Sequence, residues 1–244
     1  RYQGNRKTAP SFFNANANDP SRWSYVKSTE QAIDDGTWKN FNARLTLQAS
    51  PRNKLNFFWD EQQLCTSCLG SVNSATTAPE AHYNNHAWPR VQQVTWSSPW
   101  TNKLLLDAGW GANLINKYGT RPNVSNHNQL IPVTELCLQG CAANGGIPGL
   151  AYRSIATAPF VSSYEADSRV WNWRASAAYV TGRSSLKVGY LGTQIVNHFA
   201  RVRMNDQWMA YSFNNGVPFT FTQFVGPAMQ NTHVQVHGLY AQEQ

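Results

Sequence analysis

Asn42-Ala43-Arg44-Leu45-Thr46-Leu47-Gln48-Ala49, then Ser50-Pro51-Arg52-Asn53, then Lys54-Leu55-Asn56-Phe57-Phe58-Trp59-Asp60 is the stretch on which the fold is decided. In the first run the odd positions are apolar and the even ones polar, the period of a strand with one apolar and one wet face. Pro51 presets a turn dihedral and Asn53 tolerates the left-handed region, so a short segment reverses the chain. The return run puts Leu55, Phe57 and Trp59 on one face and Asn56 and Asp60 on the other. The unit is an antiparallel hairpin.

It recurs along the chain. Arg90 to Ser97 runs through the turn Ser98-Pro99-Trp100-Thr101-Asn102 into Lys103 to Asn113, where Leu104, Leu106, Ala108, Trp110 and Ala112 share a face. Trp171, Trp173, Ala175, Ala177 and Tyr179 form a third apolar face, which turns at Thr181-Gly182-Arg183-Ser184 and continues in Leu186, Val188 and Tyr190. Gln207 to Phe213, the turn Asn214-Asn215-Gly216-Val217, Phe219 to Val225 and Thr232 to Ala241 complete the pattern. In the last of these Val234, Val236 and Tyr240 lie opposite His233, Gln235 and His237. The expectation is an all-β chain of about nine or ten strands forming a single domain over 1–244, with no helix beyond a turn or two.

Between the hairpins lie two long connections, 61–88 and 114–168, the second holding only a short strand near Leu150 to Ile155. Loops above about 12–15 residues are uncommon in compact domains unless they carry function. Tight turns alternating with long loops are how outer-membrane β-barrels are built, and Trp59, Trp96, Trp100, Trp110, Trp171, Trp173 and Tyr179 near strand ends suit their aromatic girdles. A soluble β-sandwich alternates in the same way, with its apolar face against a second sheet. Composition favours the barrel, or a segment of one. Charged residues are only 14% and aromatics 13%, yet mean hydropathy is −0.49, so the polarity resides in Asn, Gln, Ser and Thr.

Other classes are excluded or set aside. No apolar run approaches the roughly 18 residues of a membrane helix. The net charge of +7 and pI near 9.4 would suit nucleic acid, but the basic residues are scattered and only Arg201 and Arg203 are close together, so no basic face for a phosphate backbone is expected. Cys65 and Cys68, and Cys137 and Cys141, form two close pairs in the long loops. Their spacing fits two local disulfides in an exported protein, with a shared zinc site as the alternative. The chain opens on Arg1 with no apolar leader, as expected of a processed protein or of an excerpt from a longer gene.

No nucleophile elbow, phosphate loop or zincin helix is present, and Asp34, Asp35 and Asp60 nominate no glycosidase pair. His233 and His237, on one strand face, lie about 13 Å apart, too far for one metal ion. His82 and His86 fall in a segment whose Asn84-Asn85 argues for a loop. No enzyme activity, cofactor or metal is expected. Arg174, Arg201, Arg203, His233 and His237 remain as ligand-contact candidates, suited with the aromatics and amides to a sugar or peptide.

The run Thr37 to Lys54, Phe58-Trp59-Asp60-Glu61-Gln62, Tyr179-Val180-Thr181-Gly182 with Leu186-Lys187-Val188-Gly189-Tyr190, Phe213-Asn214-Asn215-Gly216-Val217-Pro218 and Leu239 to Gln244 together resemble the barrel region of Oar-like TonB-dependent receptors of Acidobacteria and related bacteria. The resemblance implies an outer-membrane barrel of many strands around an N-terminal plug, energised by the TonB complex, importing a large or scarce oligosaccharide, peptide or metal chelate. Relative to that family the chain shows no plug segment and corresponds to roughly a quarter of a receptor. Its implied surroundings are outer-membrane lipid and an extracellular ligand, with TonB reached only through a plug. The rival expectation is a secreted all-β carbohydrate-binding module or polysaccharide-active hydrolase.

Overall fold

The computed structural model describes residues 1–243 except 67, 69–73, 123–125, 127–128, 156–165, 202–206 and 227. Among the described residues twelve strands are arranged in order: β1 (Tyr2–Asn14), β2 (Lys27–Ser50), β3 (Asn53–Thr66), β4 (Tyr83–Pro99), β5 (Leu104–Pro122), β6 (Val133–Glu135), β7 (Ala151–Tyr152), β8 (Ala166–Val180), β9 (Ser185–Arg201), β10 (Met209–Asn214), β11 (Val217–Gln223) and β12 (Ala228–Glu243). Eight of them form one sheet in the order β1-β2-β3-β4-β5-β8-β9-β12, antiparallel throughout and open at β1 and β12. The fold is the all-β, antiparallel, barrel-type wall expected from the hairpin pattern.

The three hairpins turn where the sequence places them, at 51–52, 100–103 and 181–184. The strands are longer than the alternation shows. β2 runs for 24 residues and β5 for 19, so the connections expected at 61–88 and 114–168 begin later and end earlier, after Thr66 and Pro122 and before Tyr83 and Ala166. Alternation is visible only where one face leaves water; beyond that zone a strand continues with both faces polar, held by its ladder alone. β1, which the expected nine or ten omits, carries no period for the same reason, and β6, also omitted, is three residues long and too short to show one.

A second, four-stranded sheet in the order β11-β10-β6-β7 stands at the loop end of the wall. β10 and β11 join through Asn215 (φ 51°) and Gly216 (φ 82°), the two successive positive φ values of a type I′ hairpin turn. β10 runs parallel to β6, which pairs with β7. Tyr25, Ala78, Val133, Leu150, Tyr152 and Phe213 form the buried core beneath this sheet. The long loops are thus a packed cap with its own core.

Candidate functional site

The wall has two faces, which the register defines row by row. Leu47, Leu55, Trp96, Ala108, Ala175, Tyr190 and Leu239 are directly opposite one another from β2 to β12. The next row on that face is Leu45, Phe57, Val94, Trp110, Trp173, Gly192 and His237, and the next Ala43, Trp59, Gln92, Ala112, Trp171, Gln194 and Gln235. Leu45 (60%), Trp59 (40%), Trp110 (40%) and Leu239 (87%) stand open. A large apolar side chain gains about 1.5–3 kcal/mol on leaving water, so a continuous face of them calls for a non-aqueous neighbour.

The face has edges. Above Trp59 and Trp171 comes the row of Phe41, Glu61, Arg90, Leu114, Arg169, Val196 and His233, in which charge first enters this face: Arg90 Nη2 pairs with Glu61 Oε1 at 2.6 Å and Arg169 with Asp167 at 2.7 Å. Below, the apolar rows end at Tyr179 and Leu186, with Trp100 in the adjoining turn. From Trp171 to Tyr179 the strand covers about 26 Å at roughly 3.3 Å per residue, or about 20 Å along the axis of a barrel whose strands tilt roughly 40°. Aromatic residues mark both limits.

The opposite face is built from amides, hydroxyls and scattered charge. Thr46, Asn56, Thr95, Gly109, Arg174 and Leu191 form one of its rows, in which Thr46 Oγ1 donates to Asn56 Oδ1 (3.0 Å) and Asn56 Nδ2 to Thr95 Oγ1 (3.2 Å). The row above holds Arg44, Phe58, Gln93, Gly111, Asn172 and Thr193, with Thr193 Oγ1 donating to Asn172 Oδ1 at 2.9 Å. Gly109 and Gly111 leave a hollow of about 410 Å³ bordered by Gln93, Thr95, Asn172, Arg174, Leu191 and Thr193. Arg174 lies flat on Gly109: a Cβ there would meet its Nε at 3.0 Å.

The five ligand-contact candidates are not gathered at one point. Arg174 is in the hollow, whereas His233 and His237 lie on the aromatic face. There Trp173 covers Gly192 and donates through Nε1 to Tyr190 Oη (3.2 Å), which is 2.6 Å from His237 Nδ1. Arg201 pairs through its backbone with Ala228 at the upper end of β9, and Arg203 lies outside the described residues. The cysteines close as two local disulfides, Cys65–Cys68 and Cys137–Cys141; the first is at the top of β3, with Cys65 Sγ 3.6 Å from His86 Nε2.

The cap was not legible as a site, and three buried charges organise it. Glu135 accepts from Asn144 Nδ2 (2.8 Å) and from the N–H groups of Asn215 (2.7 Å), Gly216 (2.9 Å) and Cys137 (3.2 Å). Burial alone would push its carboxyl up, but these donors outweigh it and hold the group below the usual carboxylate range. Arg153 donates to the carbonyls of Pro20 (3.0 Å), Ile131 (3.2 Å) and Arg22, and its guanidinium lies 4.0 Å over Trp23. Glu80, in the 3₁₀ turn Pro79–Ala81, is fully buried and accepts from the N–H of Asn14 at the end of β1; desolvation raises it to about 7. These contacts fasten cap to wall.

No family model matches the chain, and no curated protein matches it. Among solved structures, the outer membrane transporter YddB from Escherichia coli is similar at a TM-score of 0.52 and 13% identity, over 99% of this chain and 28% of that one. At that identity the likeness speaks for the fold. The chain shares its strand-wall fold with that structure and spans little more than a quarter of its length.

Proposed function

We propose that this chain forms part of the barrel wall of a TonB-dependent outer-membrane receptor of the Oar-like kind, which imports a ligand too large or scarce for a porin. The aromatic face meets lipid, the amide-rich face lines the lumen, and the cap stands outside the cell. The remaining strands, and the plug through which the TonB complex would act, are contributed from outside these residues. The observation that carries the reading is the apolar band across β2 to β8, about 20 Å high and bounded by aromatic residues and then by the Glu61–Arg90 pair. The fold shared with an outer-membrane transporter supports it.

The ligand class consistent with an amide- and hydroxyl-lined lumen is an oligosaccharide, a peptide or a metal chelate. Fractionation tests the membrane assignment. The complete protein is expected in the outer-membrane pellet after a carbonate wash, extracted folded only by detergent. A folded monomer in plain buffer, with no detergent belt, overturns it. Deleting TonB from the host tests the energised step, with ligand uptake expected to cease.

A further inference from the structure

The two local disulfides stand in opposite electrostatic settings. Thr37, Cys65 and His86 are directly opposite one another on β2, β3 and β4. They share the outer face with Trp59, Glu61 and Arg90, and stand about 13 Å along the strand above that charged row. The site is therefore beyond the apolar band and on the outer side of the wall, where nothing that fills the lumen reaches it. Cys65 is 6% exposed and its Sγ is 3.6 Å from His86 Nε2, while Cys68 is half-buried, with its Sγ 3.8 Å from Thr37 Oγ1. Cys137 and Cys141 are both half-buried, and the Glu135 carboxylate accepts from the N–H of Cys137. By access alone the second disulfide is open to attack at either sulfur. By charge the first is the better placed to release a thiolate, since an imidazole N–H stabilises a sulfur anion and a nearby carboxylate disfavours it.

We propose that Cys65–Cys68 is a thiol-exchange site, which takes a low-molecular-weight thiol from the surrounding solution onto Cys68. The thiolate of the incoming molecule attacks Cys68 Sγ, the bond to Cys65 breaks, and its electron pair leaves on Cys65 Sγ. A new disulfide joins Cys68 to the thiol, so one disulfide replaces another with no net oxidation, and the proton given up by the incoming thiol goes to solvent. The buried Cys65 thiolate accepts from His86 Nε2–H, at the contact the closed disulfide already makes. Its return attack on Cys68 expels the thiol and restores the pair, so the modification is reversible. The site involves neither the imported ligand nor the lumen.

The test treats the complete folded protein with 2-mercaptoethanol, quenches samples in acid at intervals and maps the adducts by mass spectrometry of peptides cut without reduction. The adduct is expected on Cys68, forming about tenfold or more faster than any on Cys137 or Cys141. His86→Phe keeps a ring beside Trp88 without its nitrogens and should slow the Cys68 adduct about tenfold, with the Cys137–Cys141 rate unchanged. His86→Gln, which keeps an N–H near the place of Nε2, should restore part of the rate. If a changed Cys137–Cys141 rate shows that His86→Phe disturbs the fold, His86→Leu takes its place. No adduct on Cys68, an adduct on Cys65 instead, exchange at Cys137–Cys141 as fast or faster, or an unchanged rate without the His86 ring nitrogens overturns the inference. The measurement is the same whether the protein is recovered folded in detergent or in plain buffer, so the receptor reading and this inference fail separately.

Discussion

Glu80 and Glu135 are both buried carboxyls of the cap, and their surroundings push them in opposite directions. Glu80 is raised from 4.5 to about 7 by desolvation, so folding favours its protonated form. The cap therefore keeps this group's contribution below about pH 4.5 and loses it as pH rises through about 7, a change of about 3 kcal/mol. Glu135 is lowered by its hydrogen bonds; its contribution is present above the ordinary carboxylate range and lost as pH falls below it. Cap stability is thus greatest in mildly acidic solution. Hydrogen exchange of the Ala78 and Ala151 amides, both in the cap ladder, should slow from pH 8 to pH 5 after correction for intrinsic rates, and Glu80→Gln should remove that dependence. Glu135→Ala strips the acceptor from four donors and should cost about 3 kcal/mol, seen as faster exchange at Asn215 and Gly216. Unchanged exchange there would mean that the clasp is not what holds the β10–β11 turn.

Among the elements, β8 and β9 show what sequence can and cannot convey. The alternation of Trp171, Trp173, Ala175, Ala177 and Tyr179 was legible because one side of the strand is apolar over its whole middle. The register that sets Trp173 on Gly192 was not, since period two fixes faces within a strand but not which face of the next strand joins them. On β12 this matters most: Val234 and Val236 read as the apolar face, yet pairing puts them on the amide-rich side and His237 beside Trp173. The cap was illegible for another reason. Its core draws single residues from segments far apart, such as Tyr25, Val133 and Phe213, and none of those segments has a period. A valine at Gly192 would take the space of the Trp173 indole and break its bond to Tyr190. Gly192→Val should destabilise the wall by about 1–3 kcal/mol, read as a lower temperature for the loss of heat-modifiable migration. No shift would contradict the β8–β9 register.

At the scale of the molecule, an open sheet of eight strands with one apolar side has two unpaired edges and a surface that water does not satisfy. Closure into a larger barrel within lipid satisfies both, and the likeness to an outer-membrane transporter over 28% of its length fits such a partial wall. The charged rows above the band and the polar cap beyond them then belong outside the hydrocarbon, and the amide-rich face is the one turned away from lipid. The orientation of the two faces is the claim on which the rest depends. It is tested most directly by spin-labelling single cysteines at 170–179 on β8 of the membrane-inserted complete protein, whose own described cysteines are closed in disulfides. Collisional accessibility to oxygen, which concentrates in lipid, should peak at 171, 173, 175, 177 and 179, with accessibility to a water-soluble nickel chelate peaking at 172, 174, 176 and 178. Reversed phase, or no period of two, would contradict the account.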